Sequence, residues 1–180
     1  MSHSTLLLSL FKYKAWANSE LFAELQKLDP DAHAAERHTC IRLMNHIYVV
    51  DRIFVGNLSG TAHGYAGTNT TETPALDELH FAVTETDNWY VNYVHSLDAQ
   101  RLAELVDFVF TDGGQGTMSR EEMLAHVVTH GAYHRGAVGR VMAQLSIAPP
   151  RDLFTGFLHK SEPQRREHAA SAVNHSNVAQ

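Results

Sequence analysis

Cysteine is nearly absent: Cys40 is the only one in 180 residues. An intrachain disulfide framework is therefore excluded, and a reducing compartment is the natural setting. Positive charge is also in short supply, with 14 lysines and arginines against 20 aspartates and glutamates and a formal charge of −6 when histidine is neutral. With no local basic patch to offset that balance, nucleic acid is an unsuitable partner. Long hydrophobic runs are missing too. Leu6-Leu7-Leu8-Ser9-Leu10-Phe11 meets Lys12 and Lys14 at once, too short for a signal-peptide core or a membrane span. The segment Met1-Ser2-His3-Ser4-Thr5 has no basic cluster, so the expectation is a soluble cytoplasmic protein with no membrane partner.

What the chain does have is a core and many histidines. Hydrophobic residues make up 44% and charged residues 19%, which excludes a wholly disordered chain, and the length suits one domain with a sizeable buried interior. Histidine occurs 13 times, and protonating every copy would carry the formal charge from −6 to +7. Such an excess either senses pH or has a fixed task.

The apolar pattern is helical. Leu6, Leu10, Tyr13, Ala17, Leu21, Leu25 and Leu28 recur at three- and four-residue spacing, predicting a first helix from Thr5 to Leu28 that Asp29-Pro30-Asp31 ends. A second helix is expected from Ala34 to Leu58, with an apolar arc wide enough to pack against two neighbours. Glycines and threonines from Ser59 to Thr73 mark a long connection, which allows the next helix to start at either end of the last. Thr73-Pro74 followed by Asp77 and Glu78 reads as an N-cap, a first-turn proline and acids at the positive end of a third helix running to Leu97.

Between Leu105 and Thr117 the period changes. Val106, Phe108 and Phe110 alternate with Asp107 and Val109, and Thr111 to Gly116 supplies turn residues, so a short hairpin is expected. The same glycine-rich stretch lacks the endings of a phosphate loop and the alternating acids of a calcium loop. Ser119 with Glu122 forms a capping box that opens a fourth helix from Arg120 to Ser146, stopped before Pro149-Pro150. Asp152 to His159 is expected as a short packed piece, and residues 161–180 as a polar flexible tail after a domain spanning 1–160. The sum is an all-α fold, a four-helix bundle with a long helix 2 to helix 3 crossover and a hairpin before helix 4.

Helical geometry sorts the histidines. At about 100° per residue, His126, His130 and His134 form one inclined row; relative to the stripe Met123, Val127, Val138, Val141 and Leu145, His134 is central, His130 at the edge and His126 farther out. His130 and His134 can place two imidazoles on one metal ion, and His46, the one histidine within the apolar stretch of helix 2, is the candidate third ligand. Three imidazoles leave coordination positions open, the pattern of a catalytic metal site. No glutamate follows His130, so the His-Glu-x-x-His base of the zinc proteases is missing.

Tyr13-Lys14-Ala15-Trp16-Ala17-Asn18, Met44-Asn45-His46-Ile47 with Val50-Asp51-Arg52, and above all His126 to Gly136 resemble the DinB/YfiT-like metalloproteins. The resemblance spans Leu6 to Lys160. It implies a four-helix bundle, commonly a homodimer, with a divalent metal on His46, His130 and His134: zinc or nickel first, iron or manganese otherwise. It also implies a metalloenzyme in which a low-molecular-weight thiol takes part in S-transferase-like or hydrolase chemistry on a small molecule. The alternative is a non-catalytic stress-response module in which the ion is structural. No catalytic side chain is assigned by either reading.

Other residues carry plainer expectations. Tyr133, Tyr48 and Asp51 lie on faces near the candidate ligands and could orient them, though Tyr48 also reads as core and Asp51 as the partner of an arginine. Arg135 reads as an interhelical ion-pair member, Tyr13 and Trp16 as packing, and Cys40 as a buried inert thiol.

Overall fold

The structure is a computed structural model in which residues 5–166 are described; most of the expected polar tail, residues 167–180, lies outside them. Helix accounts for 66% of the described residues and strand for 6%, as an all-α fold requires. Contacts divide the chain after Pro150 into a large unit and a short C-terminal one.

Within the large unit, α1 (Thr5–Leu25) packs against the later helices α3 (Leu76–His95) and α5 (Arg120–Gln144), and α2 (Ala34–Ser59) packs against the same two. Gly60 closes α2 in the left-handed conformation at φ 66°, its N–H returning to the carbonyls of Asn57 and Gly56. The capping box forms as expected: Ser119 Oγ accepts from the Glu122 N–H, and the Glu122 carboxylate accepts from the Ser119 N–H. Strands β1 (Leu105–Val109) and β2 (Gln115–Ser119) pair antiparallel, with Phe108 opposite Gly116, through a turn in which Gly113 has φ 89°. Arg120 fastens the base of this hairpin, donating from Nη1 to the Leu58 carbonyl and the Tyr93 hydroxyl, each at 2.6 Å, and from Nε to Glu104 at 3.0 Å.

Several local expectations are corrected. Helix α1 ends at Leu25, and residues through Leu28 continue as a tighter turn in which Lys27 and Leu28 donate three residues back. The expected stripe is buried from Tyr13 through Ala17, Leu21, Leu25 and Leu28, but its first two positions are one residue out: Leu7 and Phe11 are buried, while Leu6 is 62% exposed and Leu10 only partly covered. Thr73 does not cap α3. The chain stays extended through Ala75 (φ −63°, ψ 143°), which holds the N-cap position and has no side-chain acceptor, so no side chain caps the helix; Asp77 and Glu78 still occupy the first turn. An unforeseen short helix, α4 (Ala99–Leu102), follows, capped by Asp98, whose carboxylate accepts from the Arg101 N–H at 2.8 Å. Helix α5 stops at Gln144, two residues short of the expected end. The C-terminal unit contains α6 (Phe154–Ser161), which leaves no residue buried.

Buried apolar side chains of the large unit form two clusters. One holds Phe11, Phe54, Tyr90 and Val127, the other Phe22, Met44, Val83 and Met142. At the boundary between them four helices contribute buried polar side chains: Lys14 and Asn18 from α1, Asp51 from α2, Asp87 from α3 and Arg135 from α5. Lys14 Nζ donates to Asp51 and to Asp87, both at 2.6 Å; Asn18 donates to the other Asp87 oxygen at 2.8 Å and accepts from Arg135 at 3.3 Å. Two cations face two carboxylates, so the layer is closed in charge and buried without a net ion. Asp51 therefore pairs with a lysine, correcting the expected arginine, and Lys14, which reads as a charge interrupting an apolar run, is fully buried.

Candidate metal centre and its cavity

His46 is carried by the middle of α2 and oriented by the α2–α3 connection. Asn45, beside it, donates to Asn69 and, at 2.7 Å, to the Thr70 hydroxyl; Asn69 returns a bond to the Arg42 carbonyl at 3.1 Å, and Arg42 bonds the Glu72 carbonyl at 3.1 Å. That fastening brings the Thr68 carbonyl oxygen to 2.7 Å from His46 Nδ1. A carbonyl only accepts, so Nδ1 carries the proton and donates, leaving Nε2 with its lone pair free.

The bare Nε2 of His46 points at Nε2 of His130, 3.1 Å away. His134 stands one turn farther along α5, its ring centroid 4.5 Å from each of the other two. One nitrogen from each of the three lies within 4.8 Å of the other two. Ligand nitrogens around a tetrahedral ion at about 2.0–2.1 Å stand roughly 3.3 Å apart, so the set fits a divalent cation with small ring movements. The trio chosen from helical phase is the trio the fold brings together.

Electrostatics favour neutral, ligating imidazoles. Burial pushes the His130 pKa down to about 3, with His134, His46, His126 and Lys14 adding to the effect. Burial and His46 lower that of His134, and burial lowers that of His126. Nδ1 of His130 is enclosed with no hydrogen-bond partner among the described residues.

His126 lies outside the trio, as its phase suggested. Its ring stacks on His130 at 5.4 Å between centroids and lies 4.9 Å from the ring of Phe54. Tyr133 is 77% exposed and touches His134 only ring edge to face, 5.0 Å between centroids. Tyr48 is half-buried and packs against the core cluster of Phe22 and Met44, as its core reading expects. Cys40 is fully buried, and burial raises its thiol to about 11, as an inert thiol requires.

A cavity of about 460 Å³ opens beside the histidines, with His46, His130 and His126 in its wall. Val50, Ile53 and Phe54 line it from α2; Phe108, Phe110 and Met118 line it from the hairpin. The hairpin's part in the site was not legible, although the alternation that places Phe108 inward was its signal. Asn45 and the Thr68 carbonyl were missed as well, and a polar Asn45 on the covered face next to His46 was the available clue.

Residues 1–167 match the sequence profile of the DinB family. The chain belongs to the DinB family. Protein DinB of Bacillus subtilis (strain 168) is 24% identical over 149 residues, covering 77% of this chain and 86% of that relative. Family membership and the three-histidine cluster are compatible with metal binding. No helix among the described residues is long and apolar enough to cross a membrane.

Proposed function

We propose that this DinB-family chain is a divalent-metal enzyme acting on a small molecule, with His46, His130 and His134 as the protein ligands. One observation carries the reading: imidazole nitrogens of His46, His130 and His134 converge, and two of the three residues, His46 and His130, stand in the wall of a cavity large enough for a substrate. A closed structural site would have no use for that space. When bound, a divalent ion there supplies Lewis-acid polarisation and lowers the pKa of a water or thiol in its open positions. The chain's own residues do the rest: Thr68 holds the His46 tautomer, burial keeps His130 and His134 unprotonated, and the hairpin and α2 shield the reacting groups from bulk water.

Zinc or nickel fits three imidazoles best, with iron or manganese the other candidates. A low-molecular-weight thiol as co-substrate in transferase or hydrolase chemistry, a homodimer and a cytoplasmic location belong to the same proposal, supported by family membership. So does a four-helix bundle built from α1, α2, α3 and α5 with its crossover after α2, within a domain of residues 1–160 and followed by a tail.

Protein purified without nickel resin is expected to hold about one divalent ion per chain, and His134→Ala to weaken its affinity on the order of 100-fold. Unchanged affinity in that variant would overturn the assignment. Because α2 gives one ligand and α5 two, the ion would also tie those helices together. Should a chelator lower the melting temperature steeply while no thiol-transfer or hydrolysis substrate turns over, the structural-ion reading takes its place.

A further inference from the structure

We infer that the cavity beside the histidines holds an uncharged aryl or alkyl group of the substrate, selected by Phe54, Phe108 and Phe110; the inference rests on the reading of those histidines as a reaction site. The first argument is charge. Among the described residues lining the cavity there is no aspartate, glutamate, lysine or arginine, and its polar members are threonines, one asparagine and imidazoles. Away from the histidines, a carboxylate, phosphate or ammonium inside would lose its water and find no counter-charge on the wall, a cost that excludes it from that part of the cavity.

Volume is the second. A cavity of about 150 Å³ takes up benzene, and this one measures about 460 Å³. It has room for an aryl-alkyl or two-ring group, while His46 and His130 in the same wall receive the polar end of the molecule.

The aromatic wall is built by a specific absence. Gly116 lies opposite Phe108 across the hairpin, and a Cβ there would sit 2.8 Å from Phe108 Cζ and 2.8 Å from Phe110 Cε2. Only glycine lets both rings lie over β2, where they meet edge to face at 4.8 Å between centroids. Phe108 then faces Phe54 of α2 at 6.3 Å, while Phe110 stays 50% exposed at the rim. An aromatic left half in solvent at a cavity mouth is surface held available for an apolar ligand.

Three probes of nearly one shape separate the possibilities: 4-fluorobenzyl alcohol, 4-fluorobenzoate and 4-fluorobenzylammonium, each titrated into metal-free and zinc-loaded full-length protein and followed by fluorine NMR. In metal-free protein the alcohol is expected to bind saturably, with the anion and cation at least about tenfold weaker. Thr111→Arg changes an exposed residue at the lip and should strengthen 4-fluorobenzoate about fivefold while moving the alcohol less than twofold. Gly116→Val should weaken the alcohol about tenfold by displacing the two rings. Charged probes binding as well as the alcohol, no binding of the alcohol, or indifference to both substitutions would overturn the inference. Zinc uptake without alcohol binding sinks the cavity assignment and leaves the metal reading standing. Alcohol binding in a protein that takes up no zinc overturns the metal reading and, with it, the cavity's role as a substrate site.

Discussion

Gly131 presents bare backbone to Lys14: a Cβ placed there would lie 3.5 Å from Lys14 Cε and 3.1 Å from Arg135 Nη1. The glycine next to His130 is thus where the buried charge layer packs against the helix that carries the proposed ligands His130 and His134. Gly131→Val would push both cations away from their partners, and the expected loss is about 2–3 kcal/mol, more than any gain in helix propensity returns. Urea unfolding of the metal-free variant checks it; unchanged stability would show that Lys14 and Arg135 are free to give way.

Lys14 joins two carboxylates, Asp51 and Asp87, at 2.6 Å each. Burial alone would lower its pKa, but Asp51 and Asp87 outweigh that and raise it. Lys14→Met leaves two buried acids facing each other, and the expected cost is about 3–5 kcal/mol. The defect should shrink on acidification, because Asp51, already raised to about 6 by burial, takes up a proton readily. Adding Asp51→Asn to the variant should recover most of the loss, since the layer then holds one carboxylate, Asp87, and one cation, Arg135. Denaturant midpoints of the three proteins at pH 5 and pH 7 measure both effects.

What could be read without the structure was whatever one helix determines by itself. The phase of α5 singles out His130 and His134 because both lie on its own buried side, and the Ser119–Glu122 box closes within four residues. The first two turns of α1 were different: Leu6 and Leu10 make as good a start to the stripe as Leu7 and Phe11. The choice between them follows from Lys14, which is buried only because Asp51 and Asp87, 37 and 73 residues on, meet it. Thr68 likewise matters through its backbone carbonyl, a group whose placement depends on how Asn45 pins a distant connection and leaves no trace in residue type. The cavity needs the hairpin folded onto α2, a tertiary contact with no local signature beyond alternation.

Cys40 has no part in the chemistry and should behave accordingly. Its thiol is fully enclosed and raised to about 11 by burial, with Glu36 adding to the shift. A disulfide reagent at pH 8 is expected to modify the folded protein at least about 1,000-fold more slowly than a free thiol, and to react at once in urea. Rapid stoichiometric modification of folded protein would contradict the burial and reopen the question of a protein thiol in the reaction.

Acid should act on the site through His130 with a definite sign. In metal-free protein its pKa is about 3 against 6.5 for an exposed histidine, so between those values the unfolded chain binds the proton and the native one does not. Stability from this group is complete above pH 6.5 and is lost as pH falls toward 3. Asp51 works in the opposite direction: raised from 3.8 to about 6, it is protonated first in the native state, so its contribution grows as pH falls through the same range. The two offset each other from about pH 6 to pH 4, and the net acid loss should be steepest below about pH 4, where Asp51 has nothing further to give. Urea midpoints from pH 3 to 7 are therefore expected to fall less in His130→Gln than in wild type, and to fall earlier in Asp51→Asn. Parallel profiles for all three would refute both shifts. With zinc present the wild-type curve should be steeper still, because protons compete with the ion for the same three nitrogens and its release removes the stabilisation that binding supplied.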